Sequence, residues 1–137
     1  KIPLNQKKTW EIFLECIFKQ GEGLKPKPII KDEGTTHGNE CIRWIPILGK
    51  KKIQERIFYV KYPNQLQYQV DNPSRWTFPV KYHKGTVKFI AISPDSTKIE
   101  WNIQVIPMFG ALIRIWLMIN CSIPFYLNKL VKISHNS

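Results

Sequence analysis

Residues 97–133 read TKIEWNIQVIPMFGALIRIWLMINCSIPFYLNKLVKI, and the change of pattern inside this stretch decides the fold. From 97 to 106 apolar and polar side chains alternate, which is typical of a strand with one face inside and the other in water. After Pro107 the residues are apolar nearly all round a helix as far as about 133, which predicts a helix that the rest of the domain covers. The apolar positions of the strand are Ile99, Trp101, Ile103 and Val105.

The residues before this stretch predict a short helix followed by antiparallel strands. Residues 6–20 carry apolar side chains at helical spacing, Asn5 can cap the first turn, and Gly21 can end the helix in the left-handed conformation. Two prolines in 21–28 exclude a continuation of the helix and begin a loop. Runs rich in Ile, Val, Tyr, Phe and Trp then alternate with turn residues, which indicates strands linked by hairpins. The predicted strands are 38–47, 52–62, 65–71, 82–92 and 97–106.

Length and composition indicate one compact domain that suits an acidic partner. The chain has 137 residues, and a hydrophobic content of 43% is enough for a sizeable core, so disorder is excluded. Lys and Arg number 21 against 10 Asp and Glu, and the net charge of +11 suits anionic lipid headgroups or nucleic-acid phosphates. Most of the basic residues are Lys, and the scarcity of guanidinium groups argues against sequence-specific recognition of nucleic acid.

The cysteines and the first residue bear on the compartment. Cys16, Cys41 and Cys121 include no closely spaced pair, and an odd count does not indicate a disulfide framework. A reducing, cytoplasmic location is therefore predicted. Because the chain begins at Lys1 without a Met, a removed signal peptide stays open as an alternative.

The apolar stretch after Pro107 must also be weighed as a membrane span. A span needs about 20 mostly apolar residues, whereas Arg114, Asn120 and Pro124 fall inside this stretch. An Arg at the centre of a span costs about 2.5–3.5 kcal/mol on insertion scales. The sequence therefore predicts a helix packed on its own sheet, with a kink or a break near Ile123 caused by the following proline.

The residue types that carry catalysis or metal binding form no recognisable site. His37 and Cys41 are the only close His/Cys pair, so no metal site is predicted. The chain has no Gly-x-Ser-x-Gly elbow, and Gly21-x-Gly23 runs into proline-rich sequence instead of a helix, so neither a nucleophile nor a phosphate loop is indicated. No cofactor is predicted.

Several short motifs, taken in order, resemble one superfamily. They are Lys8-Thr9-Trp10-Glu11-Ile12-Phe13 in the first helix, then Glu55-Arg56-Ile57, Tyr62-Pro63, Leu66 and Tyr68, and finally Gly85, Val87, Phe89, Thr97-x-Ile99-x-Trp101 and Pro107 in the closing hairpin. This arrangement resembles the helix-grip domains of the START-like superfamily, which includes Bet v 1-like proteins and the polyketide cyclase/dehydrase and lipid-transport family.

The resemblance implies a fold and a class of function. Residues 1–137 would form one α+β helix-grip domain, in which a curved antiparallel sheet wraps the C-terminal helix around an apolar cavity. The family's first strand, which should precede Ile2-Pro3, is missing or reduced to a stub, which suggests a truncated chain. The implied function is binding or transfer of a hydrophobic molecule such as a lipid, sterol, quinone or polyketide. Two alternatives stay open: a polyketide cyclase or dehydratase using Glu55 or His83 as acid or base, and non-specific nucleic-acid binding through the basic surface.

Glu55 is the candidate polar group of this cavity. A period of two from Ile53 places Glu55 on one face of its strand with Ile57 and Tyr59, and we predict that this face points inward. A buried carboxylate has to be paired or neutralised, and Arg43 on the adjacent strand is the candidate partner. The pair is either a solvated cross-strand ion pair or a polar anchor for a ligand headgroup.

Aromatic and basic residues complete the candidate site. Phe109, Ile113 and Trp116 follow one another at four- and three-residue steps and so share a helix face, which we predict lines the cavity opposite Trp101 and Ile103. The alternative for each of these residues is a place in the ordinary core. The remaining aromatic candidates are Trp44, Tyr59 and Tyr68, and the run Lys50, Lys51 and Lys52 is either a solvated hairpin tip or a contact to an anionic bilayer.

Overall fold

The computed structural model describes residues 1–19, 36–46, 52–75 and 78–135, and it confirms the predicted α+β architecture. Its elements are α1 (Gln6–Leu14), a π-helical turn (Glu15–Lys19), a 3-10 turn (Thr36–Gly38), β1 (Ile42–Pro46), β2 (Lys52–Lys61), β3 (Gln65–Val70), β4 (Val80–Ser93), β5 (Ser96–Pro107) and α2 (Leu112–His135). The strands form one antiparallel sheet in the order β1-β2-β3-β4-β5, and this sheet is not closed.

The strands lie where the hydrophobic pattern predicts them, with shifted ends. β1 begins at Ile42 instead of residue 38, because the residues before it form a 3-10 turn in which His37 and Gly38 have positive φ, and Glu40 does too. Left-handed backbone cannot continue the pleat of a strand. β5 keeps the predicted alternation, since its apolar residues from Ile99 to Val105 are half-buried and the polar residues between them are exposed.

The first helix begins as predicted and changes its geometry before its end. Asn5 Oδ1 accepts a hydrogen bond from the backbone N–H of Lys8 at 2.9 Å, which satisfies one of the free amides of the first turn. The α-helix ends at Leu14 and continues as the π-helical turn Glu15–Lys19. The predicted stop at Gly21 lies outside the described residues.

The first helix packs on one end of the sheet. Trp10 and Phe13 are almost fully buried, and their ring centroids lie 4.8 and 5.2 Å from that of Phe89 in β4. The segment before the helix is attached to the same region, because Ile2 and Thr97 exchange two backbone hydrogen bonds of 2.8 and 3.0 Å. These contacts fix α1 beside the hairpin between β4 and β5.

The C-terminal helix starts later than the apolar run and passes through its proline. Gly110 has a φ of +75°, so the residues after β5 form a turn and α2 begins at Leu112. The helix is bent but unbroken, and it runs through Pro124 to His135. The bend agrees with the predicted kink, since proline lacks the amide that would bond to the preceding turn. In the part of the chain that the structure describes, no helix has the length and apolarity to cross a bilayer.

One face of α2 covers the inner face of the sheet. Ile115 packs in a small cluster with Val70 and Val80, whereas Leu130 packs in the main cluster with Phe13 and the central strands. The helix therefore touches two separate parts of the core, one near each of its ends. The middle of α2 lies between these two clusters, and the candidate site is there.

Candidate functional site

A pocket of 280 Å³ lies between the sheet and the middle of α2. The sheet contributes the polar lining, which consists of Arg43, Glu55, Tyr68, His83 and Trp101. The rest of the lining is mostly apolar and consists of Ile53, Phe78 and Ile103 from the sheet side and Met118, Ile119, Cys121, Ile123 and Tyr126 from α2. The pocket thus has a polar floor on the sheet and an apolar roof on the helix.

A buried ion pair forms one side of the polar floor. Arg43 and Glu55 are direct cross-strand partners, and Arg43 Nε donates to Glu55 Oε2. Arg43 Nη1 donates to the carbonyl of Ile17 at 3.2 Å, in the π-helical turn that follows α1. The guanidinium carbon also lies 5.8 Å from the ring centroid of Tyr68 and 5.4 Å from that of Tyr126. Glu55 therefore points inward as predicted, and its charge is compensated inside the protein and not by solvent.

Burial and the ion pair set the protonation of the floor. Burial acts to lower the pKa of Arg43, but the Glu55 carboxylate together with Tyr68 and Tyr126 outweighs it, so the pKa lies above its usual range and the cation is permanent. Burial raises the pKa of the Tyr68 phenol, with the Glu55 charge acting in the same direction, so the hydroxyl stays neutral. Trp101 Nε1 donates a 2.8 Å hydrogen bond to this hydroxyl. The floor is a set of groups with fixed charge and orientation.

Gly85 makes the position of the Tyr68 ring possible. The two residues are direct partners between β3 and β4. A Cβ atom on Gly85 would lie 2.1 Å from Tyr68 Cζ and 2.2 Å from its Cε1, which is far inside van der Waals contact. The ring therefore lies over the glycine, close to the backbone of β4. A glycine inside a strand pattern is the sequence signal for such a close approach.

His83 belongs to the polar floor and has a buried ring nitrogen. It lies on β4 at 7% exposure, with its ring centroid 5.6 Å from that of Tyr68 and 5.4 Å from that of Phe78. Its Nδ1 atom is buried and has no hydrogen-bond partner within residues 1–19, 36–46, 52–75 and 78–135. Burial lowers the pKa of His83, the Arg43 cation lowers it further, and Glu55 opposes both, so the imidazole is neutral at pH 7. Alternate side chains of a strand point to the same face, so His83 points inward together with Gly85 and Val87. This alternation is readable in the sequence, although the predicted cavity lining did not include His83.

The structure presents a different face of α2 to the pocket from the one predicted. Phe109, Ile113 and Trp116 are 96, 77 and 60% exposed. Ile113 and Trp116 therefore face away from the sheet, and Phe109 lies in the turn before the helix and not on it. Ile115 and Ile119, one turn apart, face inward instead. Because the first half of α2 is apolar on every side, its periodicity could not decide which face the sheet would cover.

The other predicted residues are only partly brought together. Tyr68, Trp101 and Ile103 line the pocket with the ion pair. Tyr59 does not, because a bulge between Ile57 and Tyr59 inserts Phe58 as an extra residue and leaves Tyr59 42% exposed. The side chain of Trp44 and the whole of Lys50 and Lys51 lie outside the described residues, and Lys52 is half-buried at the start of β2.

Two further observations limit the kind of ligand that the site can bind. Within the described ranges, no three His, Cys, Asp or Glu side chains lie close enough to hold a metal ion. A wider groove of 610 Å³ runs between α1 and the hairpin of β4 and β5, and most of the residues along it are exposed. The pocket under α2 is the place where buried polar groups and apolar side chains meet, so it fits a molecule with an apolar body and one polar group.

Comparison with known proteins supports the fold. No protein-family model matches the chain, and no curated protein matches it. A protein from Thermobifida fusca, known from a solution NMR structure, is similar with a TM-score of 0.71 and 13% sequence identity. The likeness covers 98% of this chain and 89% of that chain. At this level of identity it shows a shared helix-grip-like fold and leaves the function of the chain to be argued from its own residues.

Proposed function

We propose that the protein binds a compact hydrophobic molecule carrying one polar group in the pocket between the sheet and α2. The observation that supports the proposal is the lining, in which apolar side chains of α2 face a buried polar floor and His83 Nδ1 has no hydrogen-bond partner among the residues that the structure describes. A buried polar nitrogen without a hydrogen-bond partner lowers the stability of the fold. A hydroxyl or carbonyl group of a ligand would supply the missing hydrogen bond. The resemblance to START-like domains, whose members hold lipids, sterols, quinones or polyketides, supports the same ligand class.

The shape of the pocket suggests the size and orientation of the ligand. Its volume of 280 Å³ is close to the lower end of the range for small-molecule sites, which is about 300–1,000 Å³. A single ring system or a short chain suits this volume, whereas a lipid with two acyl chains requires α2 to move. The apolar body would lie against Met118, Ile119 and Ile123, and the polar group would point toward His83 and Tyr68.

Occupancy can be measured with a reporter that the chain already contains. Cys121 lines the pocket and is exposed, whereas Cys16 and Cys41 are buried. Native mass spectrometry of the purified protein would first reveal any bound molecule. Quinones, sterols, fatty acids and aromatic polyketides would then be tested for slowing the alkylation of Cys121, with the two buried thiols as internal controls. If no member of this panel copurifies, binds or protects Cys121, the carrier proposal fails.

A matched pair of variants ties binding to the pocket. Ile123→Trp places a larger side chain in the pocket, whereas Phe125→Trp makes a change two residues away on an exposed position of the same helix. We expect the first variant to lose at least tenfold in affinity for the ligand found above and the second to keep it. Equal affinity of both variants would place the ligand elsewhere.

A second candidate function uses the same pocket. The neutral imidazole of His83, which lies beside the buried Tyr68 ring in the pocket, is in the protonation state that a general base needs before it accepts a proton, and this favours a cyclase or dehydratase acting on a polyketide-like substrate. Incubation with a poly-β-keto substrate tests this. Turnover that His83→Gln abolishes, with unchanged substrate affinity, would favour the enzyme, whereas binding without turnover favours a carrier.

A further inference from the structure

Large apolar side chains are exposed together at the start of α2. Phe109, Leu112, Ile113, Trp116 and Leu117 are exposed by 96, 67, 77, 60 and 50%, and we call them the apolar ridge. Phe109 forms the tip of the turn before the helix, and Ile113, Trp116 and Leu117 follow one helix turn apart on its outer side. Contiguous exposed apolar surface of this kind marks an interaction site in a soluble domain.

The ridge lies at the end of the sheet where β1 ends and β2 begins. Pro46, the last residue of β1, pairs there with Lys52, the first residue of β2. The Asn72 side chain, in the loop before β4, donates to the carbonyl of Lys52 at 3.0 Å. The backbone N–H of Met108, just after β5, donates to the carbonyl of Pro79 at 2.9 Å, which brings the ridge to the same loop.

The charges around the ridge are basic. Arg114 is exposed within it, and Arg75 and Lys81 are exposed on and beside the loop before β4. The sequence contains no Asp or Glu after Glu100. Asp71 is the acidic residue described in the loop before β4. Its carboxylate forms an ion pair with Arg56, in which Asp71 Oδ2 lies 2.9 Å from Arg56 Nε. A convex apolar surface with a cationic rim is complementary to an anionic bilayer, where apolar side chains enter the interface and basic residues contact headgroups.

We infer that the apolar ridge docks the protein on the surface of an anionic lipid bilayer, with Phe109 and Trp116 entering the interfacial layer. A second copy of the chain fits this surface less well. A symmetric contact through the ridge would bring Arg114 close to its own copy, and both molecules carry a net charge of +11. The inner side of the same half of α2 lines the pocket through Met118 and Ile119, so docking would hold the pocket next to the bilayer.

Vesicle sedimentation tests the inference on the full chain. Vesicles of phosphatidylcholine alone are compared with vesicles containing 30% phosphatidylglycerol, since each basic residue near an anionic surface is worth about fivefold in binding. We expect binding to the anionic vesicles and a loss of about tenfold or more in the double variant Phe109→Ser/Ile113→Ser. The matched control, Ile90→Ser/Ile92→Ser, removes apolar residues exposed by 39 and 52% on the distant end of β4 and should bind like the parent.

Each other result overturns the inference in a distinct way. Absence of binding to both vesicle types, or equal binding of the two double variants, would exclude docking through the ridge. A dimer in sedimentation equilibrium that Phe109→Ser/Ile113→Ser dissociates would show that the ridge is a subunit interface. Ile123→Trp should bind vesicles normally even though its pocket is filled, so failure of the docking inference and failure of the proposed ligand are measured separately.

Discussion

Replacing Gly85 with Ala tests whether the polar floor is built around the Tyr68 ring. The new methyl group would lie 2.1 Å from Tyr68 Cζ, so the ring, which is 1% exposed, must leave its packed position over the glycine. Moving the ring also breaks the 2.8 Å bond from Trp101 Nε1 to the hydroxyl. Overpacking costs about 1–3 kcal/mol and the lost hydrogen bond about 1 kcal/mol. We therefore expect Gly85→Ala to lower the free energy of unfolding by about 2–4 kcal/mol, measured by urea denaturation.

A double-mutant cycle separates the ring from other causes. Because the three atoms nearest to the new methyl group all belong to Tyr68, Gly85→Ala should cost less than about 1 kcal/mol in a Tyr68→Leu background, which gives a coupling energy above about 1 kcal/mol. Ala is otherwise the better residue in a strand interior, since it loses less backbone entropy than Gly on folding. A cost for Gly85→Ala below about 0.5 kcal/mol in the parent, or the same cost in both backgrounds, would refute the packing argument.

Three further predictions concern stability. Arg43→Leu leaves Glu55 buried without a partner and should cost about 3–5 kcal/mol, of which Arg43→Leu/Glu55→Leu should recover a large part; additive losses in urea denaturation would contradict this. His83 has a lowered pKa, so below its ordinary value near 6.5 the unfolded chain takes up the proton first and stability falls as the solution is acidified. His83→Leu should therefore lose less stability than the parent between pH 7.5 and 5, and parallel curves would contradict the lowered pKa. Asn5→Ala removes the cap of α1 and should cost about 1 kcal/mol in thermal or urea denaturation, whereas no change would show that the cap contributes nothing.

The fold was predictable because its signals are local and repeated. The alternation of β5 requires one buried face, and the apolar run that follows supplies a helix to cover it, although the outer side of that helix stays exposed. The pair of Arg43 and Glu55 followed from the same period of two, and the register makes them direct partners. Strand periodicity is reliable in the first half of β2, where buried and half-buried residues alternate and no bulge interrupts the pairing.

The site residues whose positions were predicted wrongly show which features a local sequence pattern cannot predict. Tyr59 follows Phe58 in a run of apolar residues, and nothing in the run distinguishes a bulge from a continuous strand, so one extra residue moved Tyr59 off the inner face. His83 could have been assigned to the pocket lining from the parity of β4, since Val87 and Phe89 are buried on the same face. Its lack of a hydrogen-bond partner, in contrast, is visible only once the surrounding side chains have been placed.

The side of α2 that faces solvent has a more general consequence. A helix that covers a sheet needs apolar residues on one side only, yet Ile113, Trp116 and Leu117 make the outer side of α2 apolar as well. The inner side is accounted for by Ile115 in the core and by Ile119 along the pocket. The apolar residues on the outer side are therefore in excess of what the fold needs, and exposed side chains of this kind carry a solubility cost that folding does not offset. The same feature that left the helix face undecided in the sequence is thus the one from which we infer a partner outside the domain, and the basic rim around it favours an anionic partner.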